Sequence, residues 1–363
     1  MIHPRVAALA AGLAVLAAGC TATSAPSTPT SEQSTPTAST PTSGPTQSDT
    51  LTVLTHDSFY LPDETLAAFE QASGYRVEYV APGDGGTLVN QLILTKEAPL
   101  GDVVFGIDNT FAGRAVAAGV LAPYTSPALP EEATALAADG AGVLTPIDYG
   151  DVCLNADLAW FADKGLAVPR SLDDLIEPEY ADLLVVSNPA SSTPGLAFLT
   201  TTIAAKGMGY LDYWAQLKAN GLKVVPGWTE AYTVEFSGSS GKGSRPLVLS
   251  YASSPASELD SDGKPRTANL PDTCLRQVEF AGVVAGARNE VGARAFIDWL
   301  LSPEVQAQIP ESMWMYPVDP EAPLPPAWAE FGTSVAEPWH VPAETIAANR
   351  DSWIRDWTAT VIG

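Results

Sequence analysis

Apolar positions along the chain fall into two alternating registers. Leu51-Thr52-Val53-Leu54-Thr55 is a short aliphatic and β-branched run, the pattern of a buried strand. From Asp63 to Ser73 the spacing changes to that of a helix. Acids occupy its first turn, Leu66 and Phe69 fall on one face, and Gly74 supplies a stop. Tyr75-Arg76-Val77-Glu78-Tyr79-Val80 then alternates as a strand does. The same reading predicts a helix over 87–95, a strand over 102–105 and a helix over 111–118. Beyond the middle of the chain, buried strands are predicted at 183–186, 247–249 and 278–284, with helices at 293–301 and 342–361. Strand–helix repetition at this pitch implies parallel βαβ units with helices on both faces, hence an α/β fold. No repeat of 20–50 residues is present, and 363 residues suffice for two such lobes.

The first 50 residues follow a different pattern. Arg5 precedes an unbroken Val/Ala/Leu/Gly run from Val6 to Ala18, too short for a span of about 20 apolar residues but suited to an export signal. It ends in Leu16-Ala17-Ala18-Gly19-Cys20, which resembles a bacterial lipobox, where the cysteine is acylated and becomes the mature N-terminus. Residues 1–20 are therefore expected to be a lipoprotein signal peptide. In 21–50, Ser, Thr and Pro make up 22 of 30 residues, a composition that buries too little to offset its ordering entropy. This stretch is expected to be a flexible tether between a membrane anchor and an extracytoplasmic body. Cys153 and Cys274 remain. An oxidising compartment favours one disulfide over two buried thiols.

Charge then removes whole classes of function. With 18 Lys and Arg against 42 Asp and Glu, the formal net charge is −24, so a phosphate backbone would be repelled and no nucleic-acid partner is expected. Such acidity serves solubility, and it would also steer a cation inward. Without a CxxC or a Cys/His cluster, no metal site or cofactor is expected.

In open α/β sheets ligands bind beyond the C-terminal ends of the strands, beside helix N-termini. The residues predicted there are not core-like. His56-Asp57-Ser58-Phe59 follows the first strand, Gly83-Asp84-Gly85-Gly86 the second and Gly106-Ile107-Asp108-Asn109 the third. Helix capping accounts for many of these Asp and Asn positions, though not for His56 or the paired glycines. Ser191-Ser192-Thr193-Pro194-Gly195 supplies a capped helix start whose free N–H groups suit a hydroxyl, phosphate or carboxylate. Trp228, Tyr232, Tyr251, Trp314 and Tyr316 offer faces for a flat ring or a cation, or else pack as filler.

At these residues the chain resembles the bacterial thiamine-binding proteins of ABC importers, within the superfamily that includes iron- and maltose-binding proteins. The likeness runs from about Leu51 to Trp357. It rests on Asp57-Ser58-Phe59, Gly106-Ile107-Asp108-Asn109, Pro146-Ile147-Asp148-Tyr149-Gly150, Ser192-Thr193-Pro194-Gly195, Gly227-Trp228-Thr229-Glu230-Ala231-Tyr232, Leu249-Ser250-Tyr251 with Ser254-Pro255-Ala256, and Trp314-Met315-Tyr316-Pro317-Val318. The resemblance implies a two-lobed periplasmic-binding-protein fold, each lobe a central sheet flanked by helices, joined by crossing hinge strands. Lobe one would hold 51–147 and 283–320, and lobe two 148–282 and 321–363. It also implies a monomer that traps its ligand between the lobes and passes it to a membrane permease. By the same resemblance Asp84, Ser192, Gly195, Trp228, Tyr251 and Trp314 fall on ligand-contacting positions. The whole candidate set adds His56, Asp57, Ser58, Asp108, Thr193, Tyr232 and Tyr316.

The expected ligand is thiamine or a thiamine phosphate. Aromatics would stack its rings, Asp would complement its amine or its cation, and the Ser-Thr-Pro-Gly loop would cradle its tail. Well-known members carry aromatics at the positions of His56 and Ser257, which leaves the pyrimidine moiety alone, or another heteroaromatic cation, as alternatives. Ferric-ion binders of this superfamily commonly use adjacent tyrosines, and no Tyr-Tyr pair occurs here. A hydrolase would have to use His56 or His340, with no Gly-x-Ser-x-Gly elbow to present a nucleophile, so no enzyme is expected.

Overall fold

Ten strands join in one curled sheet: β1 (Thr50–Leu54), β2 (Arg76–Val80), β3 (Val103–Asp108), β4 (Leu121–Ala122), β5 (Thr145–Asp157), β6 (Leu184–Ser187), β7 (Lys223–Val225), β8 (Leu247–Tyr251), β9 (Thr267–Val284) and β10 (Tyr316–Pro317). This computed structural model describes residues 49–140, 142–239, 242–332 and 334–363. The export signal, Cys20 and nearly all of the predicted tether lie outside the described residues. At its end the tether reading is corrected, because Thr50 already pairs with Arg76 as the first residue of β1.

The strand order is β2-β1-β3-β9-β5-β8-β6-β7. β2, β1 and β3 are parallel, and so are β8, β6 and β7. Between these two parallel sets run β9 and β5, antiparallel to each other and to both neighbours. The fold is thus two α/β lobes sharing one sheet through a central pair of long strands.

The central pair is where the sequence pattern misled. β5 spans 13 residues, all but one of them buried, yet it contains Asp148, Asp151, Asn155 and Asp157. A strand buried on both faces has no apolar/polar alternation to detect. The predicted strand at 278–284 is only the last part of the 18-residue β9, whose preceding part includes Asn269, Pro271, Asp272 and Arg276. Proline cannot donate to a ladder, and pairing shifts there: Val152 faces Leu275 while Leu154 faces Leu270. Beside this bulge Cys153 and Cys274 are joined in a disulfide with Cα atoms 4.3 Å apart.

Helices α1 (Asp63–Ser73), α2 (Gly85–Leu94) and α3 (Ala112–Ala118) follow the strands of the first lobe. Helices α4 (Leu158–Lys164), α5 (Thr193–Lys206) and α6 (Tyr210–Ala219) belong to the second. α2 starts two residues earlier than the apolar pattern predicts, because the Asp84 side chain accepts from the Gly85 N–H and caps it there. α5 is buried from Thr193 through Thr202 and forms the centre of its lobe. Its Thr200, Thr201 and Thr202 hydroxyls donate back to carbonyls of the preceding turn, so polar groups enter the core satisfied. The last helix, Ala343–Val361, stacks Trp357 edge-on against Trp214 of α6 and lays the Arg350 guanidinium 4.3 Å over Phe111 beside α3.

Candidate functional site

A cavity of about 230 Å³ opens at the C-terminal ends of the parallel strands of both lobes. One side is made by His56 and Ser58 after β1 and Asp84 after β2. The other is made by Thr193 and Pro194 after β6, Trp228 after β7 and Tyr251 at the end of β8. Glu279 of β9 and the segment Ser312–Met315 close it. A wider surface groove of about 580 Å³ beside Lys206 and Trp339 lies away from the strand ends.

The aromatic candidates converge. Trp228 and Tyr232 are four apart on a short helical turn, which stacks their rings at 5.0 Å and 15°. Trp314 meets both edge-on, at 5.8 and 5.3 Å, and Tyr251 lies 6.2 Å from Trp228. The Trp228 indole N–H donates to Ser250 Oγ at 3.0 Å, which fixes its plane. Trp314 has φ 57, left-handed backbone that a bulky residue adopts only when its surroundings enforce it. The Ser253 hydroxyl supplies part of that constraint by donating to the Trp314 carbonyl at 2.6 Å. A large indole is thus held at the cavity mouth.

Asp84 is engaged on both oxygens. Its Oδ1 accepts the N–H groups of Gly85 (2.6 Å) and Thr193 (3.1 Å), and its Oδ2 accepts the N–H of Trp228 (2.9 Å). One carboxylate therefore caps its own helix and reaches across the cavity to the start of α5. Close approach is needed for this. The Thr87 N–H donates to the Ser191 carbonyl at 3.0 Å, and a Cβ on Gly86 would come within 2.6 Å of Ser191 backbone. Gly86 is accounted for by this contact, and Gly85 by its close approach to Thr193 and the Gly106 carbonyl. Sequence reasoning assigned the α5 start to a ligand tail; in the structure the Thr193 N–H there donates to Asp84.

His56 sits in a notch. Gly106 adopts φ 96 at a bulge in β3, and a Cβ there would lie 2.2 Å from the His56 ring. The imidazole Nδ1 is 2.9 Å from Ser58 Oγ, and Nε2 is 3.6 Å from Glu279 Oε1. Burial works against a charge on this ring, but the Glu279 carboxylate, with Asp84 and Asp57 farther off, more than offsets it and raises His56 above its usual 6.5. Burial, reinforced by Glu279, Asp84, Asp108 and Asp148, raises Tyr251 and keeps its phenol neutral.

Six of the thirteen candidates stand behind or beside the wall rather than in it. Asp108 accepts from the Thr110 N–H and hydroxyl and the Phe111 N–H, closing the turn before α3, while its Oδ2 is buried without a hydrogen-bond partner. Ser192 caps α5 by accepting from Gly195 N–H, and Gly195 packs against the Ser187 and Asn188 backbone. Tyr232 lies beneath Trp228 and donates its hydroxyl to Glu258 at 3.1 Å. Tyr316 stacks on Tyr149, and Asp57 is exposed, accepting from the Thr229 hydroxyl at 3.3 Å. Sequence reasoning missed Glu279, Pro194, Ser312, Met313 and Met315 as wall residues. For Glu279 a signal existed, since an acid inside an apolar strand is costly to bury unless it has a task.

Residues 98–331 match the family model of bacterial extracellular solute-binding proteins. Over 319 residues the chain is 31% identical to the thiamine-binding periplasmic protein of Brucella suis, covering 86% of this chain and 92% of that one. It is also 31% identical over 325 residues to the thiamine-binding periplasmic protein of Escherichia coli, covering 86% and 93%. A solved periplasmic thiamin binding protein superposes with a TM-score of 0.74 at 29% identity, covering 86% of this chain and 96% of that chain. A ferric binding protein from Campylobacter jejuni shares the fold alone, at TM-score 0.66 and 16% identity over 85% and 99%.

Proposed function

The chain belongs to the bacterial extracellular solute-binding proteins, and we propose that it captures thiamine between its lobes for delivery to the permease of an ABC importer. The observation that carries this reading is the composition of the cavity wall. Trp228, Tyr251 and Trp314 offer flat faces, two carboxylates stand beside them, and neither Lys nor Arg lines it. A heteroaromatic cation is what such a wall stabilises, through ring stacking and cation–π attraction.

The unphosphorylated form suits the site best. A phosphate would need free N–H donors or a basic side chain, and the one basic group of the wall, His56, already faces the Glu279 carboxylate at 3.6 Å. The Thr193 N–H at the α5 terminus is taken by Asp84. Ser58, Thr193 and Ser312 remain as neutral partners for a hydroxyl. Proximity of the lobes would exclude water from the ligand and form the surface that a permease reads. The protein works outside the cytoplasm, held to the membrane by a lipid on Cys20, as a monomer that binds without turnover.

Calorimetric titration of the purified protein with thiamine, its monophosphate, its diphosphate and the isolated aminopyrimidine tests this. One-to-one binding is expected, tightest for thiamine. Absence of binding by all four, from folded and ligand-free protein, would overturn the thiamine reading.

A further inference from the structure

We infer that Glu279 is the counter-charge of the bound cation, and that the ligand takes over this role from the His56 imidazolium. The inference rests on the thiamine reading of the cavity and adds the residue that would read the ligand's charge.

Three observations lead to it. Glu279 lines the cavity, although only 4% of its surface is exposed, and it lies on a strand shared by both lobes. The other carboxylate of the wall, Asp84, is already satisfied by three backbone N–H groups. Glu279 by contrast accepts one hydrogen bond, from Gln277 Nε2 at 3.1 Å, and faces His56 Nε2 at 3.6 Å, beyond hydrogen-bonding range. That Nε2 is buried with no hydrogen-bond partner. A charge pair is therefore present but loosely closed.

The surroundings make the open carboxylate of Glu279 the governing constraint. Asp148 of β5 faces Glu279 in the ladder and is fully buried, with neither oxygen partnered. Burial, and the Glu279 carboxylate beside it, hold Asp148 well above the usual carboxylate range. The groups facing the pair are Asp57 and His56 after β1, Asp84 after β2, Asp108 of β3, Asp148 of β5 and Tyr251 of β8. His56 is the one basic group among these described residues. Asp84 is already compensated by three backbone N–H groups, so a second cation beside His56 would compete with the imidazolium for the one open carboxylate and be repelled by it. When the thiazolium approaches Glu279, the Nε2 proton of His56 leaves to solvent, and Glu279 keeps a single cationic partner.

Calorimetry at pH 6.5, the ordinary histidine value, in two buffers of different ionisation enthalpy counts that proton. Thiamine is expected to release about half a proton or more, and the uncharged aminopyrimidine distinctly less. Glu279→Gln keeps the shape and the Gln277 contact. It should raise the thiamine Kd by about tenfold or more and the aminopyrimidine Kd by less than about threefold. Equal proton release by the two ligands, or an unchanged thiamine Kd in Glu279→Gln, would overturn the inference while leaving thiamine binding in place. Should that variant not fold, the proton count in the unaltered protein decides alone. If the unaltered protein binds no thiamine, the functional reading fails first and takes this inference with it.

Discussion

Asp84 accepts the backbone N–H of Trp228 at 2.9 Å, across 144 residues of sequence. The bond joins the start of α2 to the aromatic wall, and the same carboxylate takes the Thr193 N–H at 3.1 Å. Charge-assisted bonds of this kind are worth about 1.5–3 kcal/mol each. Asp84→Asn loses the charge and must turn an amide N–H toward one of these donors. Its thiamine Kd should rise by about 10- to 100-fold. Solution X-ray scattering should show a larger radius of gyration for the unliganded variant. An unchanged radius and Kd would mean that the contact does not hold the lobes together.

Trp314 contributes ring area rather than a polar contact. Trp314→Ala should weaken thiamine binding by about 2 kcal/mol, or roughly 30-fold, whereas Trp314→Phe should retain most of it. Equal losses in the two variants would point to the backbone at this left-handed position instead of the ring. Quenching of tryptophan fluorescence on titration reads both affinities.

Stability should fall as pH rises, opposite to the behaviour of a protein held by paired carboxylates. Burial pushes Asp108 up to about 7, against the pull of its Thr110 and Phe111 hydrogen bonds. Between the unfolded value of 3.8 and that point, the folded state holds a proton the unfolded state has lost. The full effect of this one group is roughly 4 kcal/mol. Raised His56 acts in the same direction, since its contribution is complete below 6.5 and lost as pH climbs through its folded value. Urea denaturation should therefore give a higher midpoint at about pH 5 than at about pH 8. Asp108→Asn, whose amide oxygen can still accept from Thr110 and Phe111, should flatten the difference. A midpoint that rises with pH would contradict protonated carboxyls in the core.

How far the sequence was readable follows from where charge sits. Strands β1, β2, β3, β6 and β8 and helices α1, α2 and α3 are legible as apolar runs or stripes, whereas α5, buried all round, shows no helical stripe. Trp228, Tyr251 and Trp314 are legible as candidates because their aromatic faces suit a flat ring or a cation, although packing filler fits the same residues in the sequence. The crossing strands are a different case, since β5 and the earlier part of β9 bury acids and amides among their apolar residues and look like loops to any hydropathy pattern. Glu279 falls inside the predicted strand at 278–284, but its place on the cavity wall depends on the register of β9 against β5. The role of Asp84 was hidden as well: the cap it gives Gly85 is local, but its bonds to Thr193 and Trp228 join distant segments.

The Cys153–Cys274 bond closes a separation of 121 residues. On the chain-entropy argument a loop of that size is worth about 4–5 kcal/mol. The double variant Cys153→Ala/Cys274→Ala should lose about 2–5 kcal/mol in urea denaturation. Both cysteines are fully buried, so reductant should leave the folded protein unchanged until it unfolds. Rapid loss of stability on adding reductant to the native protein would show that the bond is accessible.

That bond also decides how such a molecule can move. It fastens β5 to β9, the strands that connect the two lobes, next to the bulge at Pro271. A riveted pair of ribbons can flex, but neither ribbon can creep along the other. Any swing of the lobes is thereby confined to bending about a fixed pin, and the jaws must return to the same bite after each release of cargo.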